Sequence, residues 1–216
     1  KNVALTGNTL YNENPMGRIR LGSVAGLMGG QYATIANVTT ENVTAKNLEG
    51  TEIEDLPIIG ANYSSSSNAT EAKIGDTYYA TLQTAIINVK NGETVTLLAD
   101  CDETVTFTQT KDLSFVLDGN DKTYTGSINI TARAGKDAPS TLVIKNFNFK
   151  TNKTTYDFIS SVATNYYPNN ITIQDCTFEG TSDISTEGYA VVAVRMKSAN
   201  NLVIKDCTGT GLHSFL

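Results

Sequence analysis

Three stretches of the chain repeat one pattern: TLVIKNFNF at residues 141–149, NITIQDCTF at 170–178 and NLVIKDCTG at 201–209. Aligned, they share columns of aliphatic residues, then a column of Asn or Asp, then Phe or Cys. Apolar and polar residues alternate up to the Asn/Asp column, which is typical of a strand with one buried face. Asn and Asp tolerate left-handed backbone, so this column predicts a bend that keeps both neighbours facing inwards.

The spacing of the copies predicts that they stack. Leu142, Ile171 and Leu202 occupy one column and are 29 and 31 positions apart. One such unit cannot bury its apolar face, but stacked units can, because each strand pairs in parallel with its equivalents. We therefore predict an all-β fold, a right-handed parallel β-helix, whose hand follows from the general chirality of parallel crossovers. The predicted internal stacks are Ile144, Ile173 and Ile204, and Cys176 over Cys207.

A polar stretch, YSSSSNATEA, divides the chain. We interpret residues 63–74 as a linker or exposed loop because no apolar periodicity runs through its polar part. Weaker copies of the repeat, such as KNVALTGNTL at 1–10, make residues 1–62 a separate repeat segment. Residues 75–216 then form the β-helix itself.

A short helix is predicted near residues 79–90. Leu82, Ile86 and Val89 recur at the spacing of one helical face, and Asn91-Gly92 follows as a stop signal. Because strands begin directly after Gly92, we interpret the helix as a cap over the open end of the stack. The alternative is a helix packed on its side.

From residue 75 to 216, the order of helix, TVTLL strand, DGN turn and coils of the xIxIxDCxF type resembles pectate-lyase-like right-handed β-helix proteins, in the extracellular or cell-surface form of gut bacteria. Residues 22–62 resemble GLUG-type repeats of bacterial surface proteins, through GSVAGLMGG at 22–30, ATIANVTTENV at 33–43 and PIIGAN at 57–62. The first resemblance implies either a lyase with an Arg or Lys base and acidic calcium ligands, or a glycosidase with clustered Asp. It equally implies non-catalytic adhesins and stalks, because this fold carries all of them.

Composition removes several classes of function. The net charge is −6 and no Lys/Arg cluster occurs, so we expect no nucleic-acid partner. The apolar runs are too short to cross a bilayer, so we expect no membrane span in this chain. One His cannot build a His-rich zinc site, and three cysteines do not make a disulfide scaffold. We expect Cys176 and Cys207 to be unbridged.

Three groups of residues are candidate sites. Asp100, Asp102 and Glu103 offer oxygens to Ca²⁺, a possible cofactor, or else form a solvated turn. The alternating YAVVAVRMK segment points Arg195 and Lys197 outwards, where they form either a lyase-like patch with Asp175 and Asp206 or ordinary surface charge. Tyr166 and Tyr167 precede a strand, and can stack on a glycan or anchor a protein, or pack back on the wall. These candidates are, in order, Asp100, Asp102, Glu103, Arg195, Lys197, Tyr166 and Tyr167.

Three functions follow from this sequence. The first is a non-catalytic, adhesin-like module of a bacterial cell surface or secreted protein, which binds a glycan or a host or bacterial surface protein. The second is a carbohydrate-active enzyme, for which paired carboxylates such as Asp175 and Asp206 would be needed. The third is a structural spacer in a longer surface protein, which the mid-coil ends at Lys1 and Leu216 favour.

Overall fold

The structure is a computed structural model. It describes residues 71–109, 113–132, 140–161, 170–180, 188, 190–197 and 199–216, and before residue 71 only six short strands. The chain is mostly β, with one helix in the described residues. Most of its strand pairs are parallel, which is consistent with the predicted solenoid.

The strands before the helix are β1 Ala4–Thr6, β2 Thr9–Tyr11, β3 Thr34–Ala36, β4 Thr39–Glu41, β5 Thr44–Lys46, β6 Glu52–Ile53, β7 Ala72–Ile74 and β8 Thr77–Tyr79. The helix α1 is Leu82–Asn88. The strands that follow are β9 Thr94–Leu97, β10 Val105–Gln109, β11 Phe115–Asp118, β12 Thr123–Tyr124, β13 Ile128–Ala132, β14 Thr141–Lys145, β15 Asn148–Thr151 and β16 Thr155–Ser161. The last are β17 Asn170–Gln174, β18 Thr177–Gly180, β19 Ala190–Met196, β20 Asn201–Lys205 and β21 Thr208–Thr210.

Three sheets organise the chain from β9 onwards. Sheet A has the order β20-β17-β14-β11-β9-β7-β8-β3, sheet B β12-β15-β18-β21 and sheet C β10-β13-β16-β19. From β11 to β21 the chain passes through A, B and C in a fixed cycle, and we call one such passage a circuit. Isolated bridges extend the cycle at both ends, where Cys101 pairs with Tyr124 of sheet B and Ser214 with Val192 of sheet C.

The pairing register aligns the repeat columns. Ile144 pairs with Ile173, and Ile173 with Ile204, so the three share one row of sheet A. Ile144 and Ile173 are fully buried, while Ile204 is only partly covered. The circuits differ in length, since Thr94 pairs with Val116, 22 positions on, whereas Ile171 pairs with Leu202, 31 positions on. The pairing register keeps the rows aligned despite this difference in length.

Aromatic rings fill the interior beside sheet B. Phe149 stacks on Phe178 with ring centroids 4.9 Å apart, and Phe147 stacks on Phe149 at 5.1 Å. Tyr124 meets both Phe147 and Phe149 edge to face. In β16, Phe158 and Ile159 are consecutive and both fully buried, so burial does not alternate along this strand.

The helix is shorter than the predicted range 79–90, because Tyr79 is the last residue of β8 and Val89 is already extended. Thr81 is its N-cap, and the side chain accepts a hydrogen bond from the N–H of Thr84. Leu82, Ala85 and Ile86 are buried, and α1 contacts β7, β8, β9 and β10. Since β10 is the first strand of sheet C, α1 covers an edge of that sheet, as a cap does.

The end of the stack near α1 also carries an antiparallel hairpin. Strands β7 and β8 pair with each other, and β7 pairs antiparallel with β9. Ala72 and Ile74 are buried, so the last residues of the predicted linker 63–74 belong to a strand instead. Before them, β1 pairs in parallel with β4 and β2 with β5, whereas the GLUG-like stretches 22–30 and 57–62 lie outside the described residues. In the described part of the chain, no helix is long and apolar enough to cross a membrane.

Candidate functional site

A row of residues with left-handed backbone conformation runs along the stack where sheets A and B meet. Asn146, Asp175 and Asp206 have φ values of 56°, 52° and 52°. Most residues lose about 1–2 kcal/mol in this conformation, but Asn and Asp adopt it routinely because their short side chains hydrogen-bond locally. Asn146 takes the same φ as the two aspartates without carrying a charge. The column therefore serves the backbone, and this weakens the case for Asp175 and Asp206 as a catalytic pair.

Of the two interpretations of Arg195, the lyase-like patch with Asp175 and Asp206 finds no support in its contacts. Arg195 lies on sheet C, where its Nε donates to both carboxylate oxygens of Asp157 at 2.9 and 2.8 Å. The two aspartates lie instead at the corner between sheets A and B. Lys197 follows the end of β19 and is exposed. Arg195 is thus held as the partner of the neighbouring strand's carboxylate.

The inward cysteines occupy equivalent places in successive circuits. The thiols of Cys176 and Cys207 donate to the carbonyls of Gln174 and Lys205, each at 3.2 Å. Both thiols are free, as is that of Cys101. Burial raises the pKa of Cys176 to about 12 and also raises the pKa of Cys207. Because the thiolate is the nucleophile and the metal ligand, neither group is prepared for such chemistry.

Asp100, Asp102 and Glu103, the candidate calcium ligands, each have different neighbours in the structure. Asp100 accepts a hydrogen bond from the N–H of Thr123 at 2.8 Å, and Glu103 accepts one from the N–H of Gln83 at 3.1 Å. Asp102 lines an open cleft. The three carboxylates therefore do not converge on one oxygen cage, which a calcium ion requires.

A different acidic cluster lies under the start of α1. Carboxylate oxygens of Glu71 and Glu103 and the sulfur of Cys101 all lie within 4.8 Å of one another. Glu71 is 3% exposed, and its Oε2 accepts the N–H of Leu82 at 3.3 Å and faces the Cys101 thiol at 3.8 Å. Burial first, and then the charge of Glu103, raises the pKa of Glu71 to about 7. Both carboxylates accept backbone N–H groups of the first turn of α1, and this role explains the cluster without a metal ion.

The cleft beside Asp102 has a volume of about 530 Å³ and lies at the corner between sheets B and C. Its lining includes Asp102, Thr125, Lys150, Asn152, Lys153 and Glu179. Each of these side chains offers a hydrogen-bond donor or acceptor. Four successive circuits contribute to it, so the cleft runs along the stack and across the strands.

Pairs of side chains organise the cleft. Lys150 Nζ lies 2.9 Å from Glu179 Oε2, and the two residues are direct neighbours in the register of β15 and β18. Lys153 Nζ lies 4.7 Å from the centroid of the Tyr156 ring. The hydroxyl of Tyr156 in turn donates to the carbonyl of Thr125 at 3.0 Å. Both cationic groups thus have a partner within or beside the cleft.

Sequence reasoning found only Asp102 of this cleft. A signal for Lys150 and Glu179 was present, because each directly follows an aligned copy of the repeat and so occupies one column. No comparable signal marks Thr125, Asn152 or Lys153, which lie between strands. Tyr166 and Tyr167, predicted as ligand contacts, lie outside the described residues.

Comparison with known proteins adds no relative from which a function could be transferred. No family model matches the chain, no curated protein matches it, and no solved structure matches it.

Proposed function

We propose that this chain is a right-handed parallel β-helix that serves as a non-catalytic, adhesin-like module of a bacterial surface or secreted protein, and that it binds a glycan in the cleft between sheets B and C. The observation that carries the proposal is the cleft itself, whose polar, charge-balanced lining spans four circuits. Resemblance of the repeat motifs to gut-bacterial β-helix proteins supports the surface location.

The direction of the cleft suits an extended polymer. Asp102 comes from the first circuit, Thr125 from the second, Lys150 and Lys153 from the third and Glu179 from the fourth. Neighbouring strands lie about 4.8 Å apart, so three such steps give a path of about 14 Å along the stack. A short stretch of linear oligosaccharide fits such a path better than a compact ligand does.

The chemistry of the lining suits a polar ligand with little net charge. Two carboxylates face two ammonium groups, and Lys150 is already paired with Glu179. Sugar hydroxyls both donate and accept hydrogen bonds, so they can use every one of these groups. A strongly anionic or cationic ligand would instead have to break the ion pair or face a like charge.

The spacing of the carboxylates argues against hydrolysis in this cleft. Glycosidases place two carboxyl groups about 5–10 Å apart around one sugar. Asp102 and Glu179 come from circuits three strand spacings apart, which separates their backbones by about 14 Å. Asp175 and Asp206 come from adjacent circuits, but the positive φ that they share with Asn146 explains why these residue types occur there.

A glycan array followed by calorimetric titration of the best ligand tests the proposal. We expect binding by the native chain and a loss of at least about tenfold in affinity in the double variant Lys150→Ala/Lys153→Ala. The matched control is Lys145→Ala, which removes a lysine from a similar ion pair on sheet A, where Nζ lies 3.0 Å from Asp118 Oδ2. It should bind as the native chain does.

Two outcomes would contradict the proposal. Absence of binding to every glycan would favour a spacer or a protein ligand. Cleavage of pectins, alginates or glycosaminoglycans, with or without Ca²⁺, and its loss in Asp175→Asn or Asp206→Asn, would show an enzyme instead.

A further inference from the structure

The first turn of α1 receives its hydrogen-bond acceptors from three separate places. Backbone N–H groups at a helix start have no partner within the helix and need outside acceptors. The N–H of Leu82 donates to Glu71 Oε2 at 3.3 Å, and that of Gln83 to Glu103 Oε2 at 3.1 Å. The local N-cap Thr81 serves only the third of these groups. Two glutamates distant in sequence therefore complete the helix start.

These glutamates connect α1 to the stack. Glu71 directly precedes β7, and its backbone also bonds to Tyr79 and Leu98. Glu103 lies just before β10, and its carbonyl accepts the hydroxyl of the fully buried Tyr124. Backbone groups of both residues are thus hydrogen-bonded to neighbouring parts of the stack, while their side chains accept from the helix.

Carboxylate oxygens of Glu71 and Glu103 lie within 4.8 Å of each other and Glu71 is buried, so one proton on the pair relieves the repulsion between two charges. Burial, the larger cause, and the charge of Glu103 raise the pKa of Glu71 to about 7, and burial also raises that of Glu103. The other titratable groups that act on this pair in the described residues are Asp102, the Cys101 thiol and the Tyr124 phenol. The helix itself has no acidic residue in its first turn and no basic residue in its last.

We propose that Glu71 and Glu103 form a proton-operated latch, which holds α1 on the stack while one proton is shared and loosens it when that proton is lost. Two carboxylates within 4.8 Å repel each other once both are charged, and the burial of Glu71 leaves little water to screen them. Loss of the proton therefore opposes the contacts that seat the helix.

Loosening of α1 would uncover a defined surface. The helix covers the edge strand β10, and Ile86 lines a pocket of about 390 Å³ together with Phe107 and Phe115. The latch would make access to this edge depend on pH.

The direction of the pH effect follows from linkage. Glu71 has its pKa raised in the folded chain, from an ordinary value of 4.5 to about 7. The folded state thus binds more protons than the unfolded state between these values, and its stability falls as pH rises across that window. Below this pH window the pair carries its proton and the latch is closed. Above the window both carboxylates are charged, and their repulsion loosens α1.

Hydrogen exchange of the α1 amides, corrected for the intrinsic effect of pH, tests the latch. Between pH 5 and pH 8.5 we expect protection at Leu82 and Gln83 to fall by up to about 100-fold in the native chain. Glu71→Gln keeps a neutral donor towards Glu103, so protection should stay nearly constant with pH. Asp206→Asn, which neutralises an exposed carboxylate at the other end of the stack and keeps a residue that tolerates its φ of 52°, is the control and should behave as the native chain does.

An unchanged pH dependence in Glu71→Gln would overturn the latch. If that variant does not fold, the side-chain carbon resonance of Glu71 in the native chain decides the question by NMR titration. A midpoint near 7 supports the proposal, and a midpoint below 5 rejects it.

Discussion

The two ends of the parallel stack are covered in different ways. At the α1 end, an antiparallel hairpin and the helix cover the first strands, and inward Val95 and Leu97 are 1% and 0% exposed. At the β20 end, Leu202 and Ile204 are only partly buried, although their neighbours Ile171 and Ile173 are 2% and 0% exposed. The same residue types at equivalent positions thus differ in burial because of what lies beyond them.

The difference reflects which sheet edges have a covering segment in the described residues. At the β20 end, Ser214 and Phe215 accept hydrogen bonds from the backbone of Ala193 and Val194, and so extend sheet C. In sheets A and B, the described residues place no strand beyond β20 and β21. The backbone pairing that extends sheet C therefore does not cover the inward residues of sheet A, and Leu202 and Ile204 stay partly exposed.

The largest expected effect comes from substituting an aspartate into the aliphatic row of sheet A, once in the middle of the stack and once at the β20 end. Ile173→Asp buries a charge without a partner and should lower the free energy of unfolding by more than about 4 kcal/mol. Ile204→Asp, at the open end, should cost about 1–2 kcal/mol because the carboxylate can reach water. Urea unfolding followed by circular dichroism measures both.

Equal losses for the two variants would remove the contrast between the middle of the stack and its end. If Ile173→Asp does not fold, Ile173→Ala and Ile204→Ala give the same ordering with smaller losses, about 3 and about 1 kcal/mol.

A smaller and equal effect is expected at the corners. Asp175→Ala and Asp206→Ala should each cost about 1 kcal/mol, because both residues have a φ of 52° whatever their distance from the end. Asp175→Asn and Asp206→Asn should cost almost nothing, since Asn146 already occupies this column. Thermal unfolding of the four variants checks this, and a large loss on Asp→Asn would instead mean that the charge matters.

The smallest expected effect concerns reactivity rather than stability. Cys176 is fully buried and Cys207 only partly, so iodoacetamide should modify Cys207 at least about tenfold faster in the native protein. Mass spectrometry of timed samples measures the two rates. In denaturant, all three cysteines should react without prior reduction. Equal native rates would mean that the two ends protect their thiols alike.

Much of the fold could be predicted because the repeat is local. The columns of the aligned copies match the pairing register of sheets A and B. The helical spacing from Leu82 to Ile86 lies within α1, although Val89 lies just past its end. The partner of Arg195 could not be predicted, because Asp157 lies on a strand without a recognisable repeat. Asp100, Asp102 and Glu103 are close in sequence and suggested one site, but in the structure each of them has different surroundings.

The third copy of the repeat shows where local pattern ends. Its aromatic column holds Gly209, which pairs with Phe178, so the alignment predicts a gap in the aromatic row. Phe215 fills this space, with its ring centroid 5.4 Å from that of Phe178. A side chain added at Gly209 would collide with Leu212 and Phe215. The chain therefore completes its interior with a residue from outside the repeat.

By itself, the sequence determined the rows: which residues face inwards, where each circuit bends and where the helix lies. These features depend on alternation, on the conformational tolerance of Asn and Asp, and on helical spacing, all of which act within a few residues. Only the tertiary structure decided the Glu71–Glu103 pair and the cleft from Asp102 to Glu179. Both join side chains from separate elements, and circuits of unequal length conceal such neighbours from any fixed spacing along the chain.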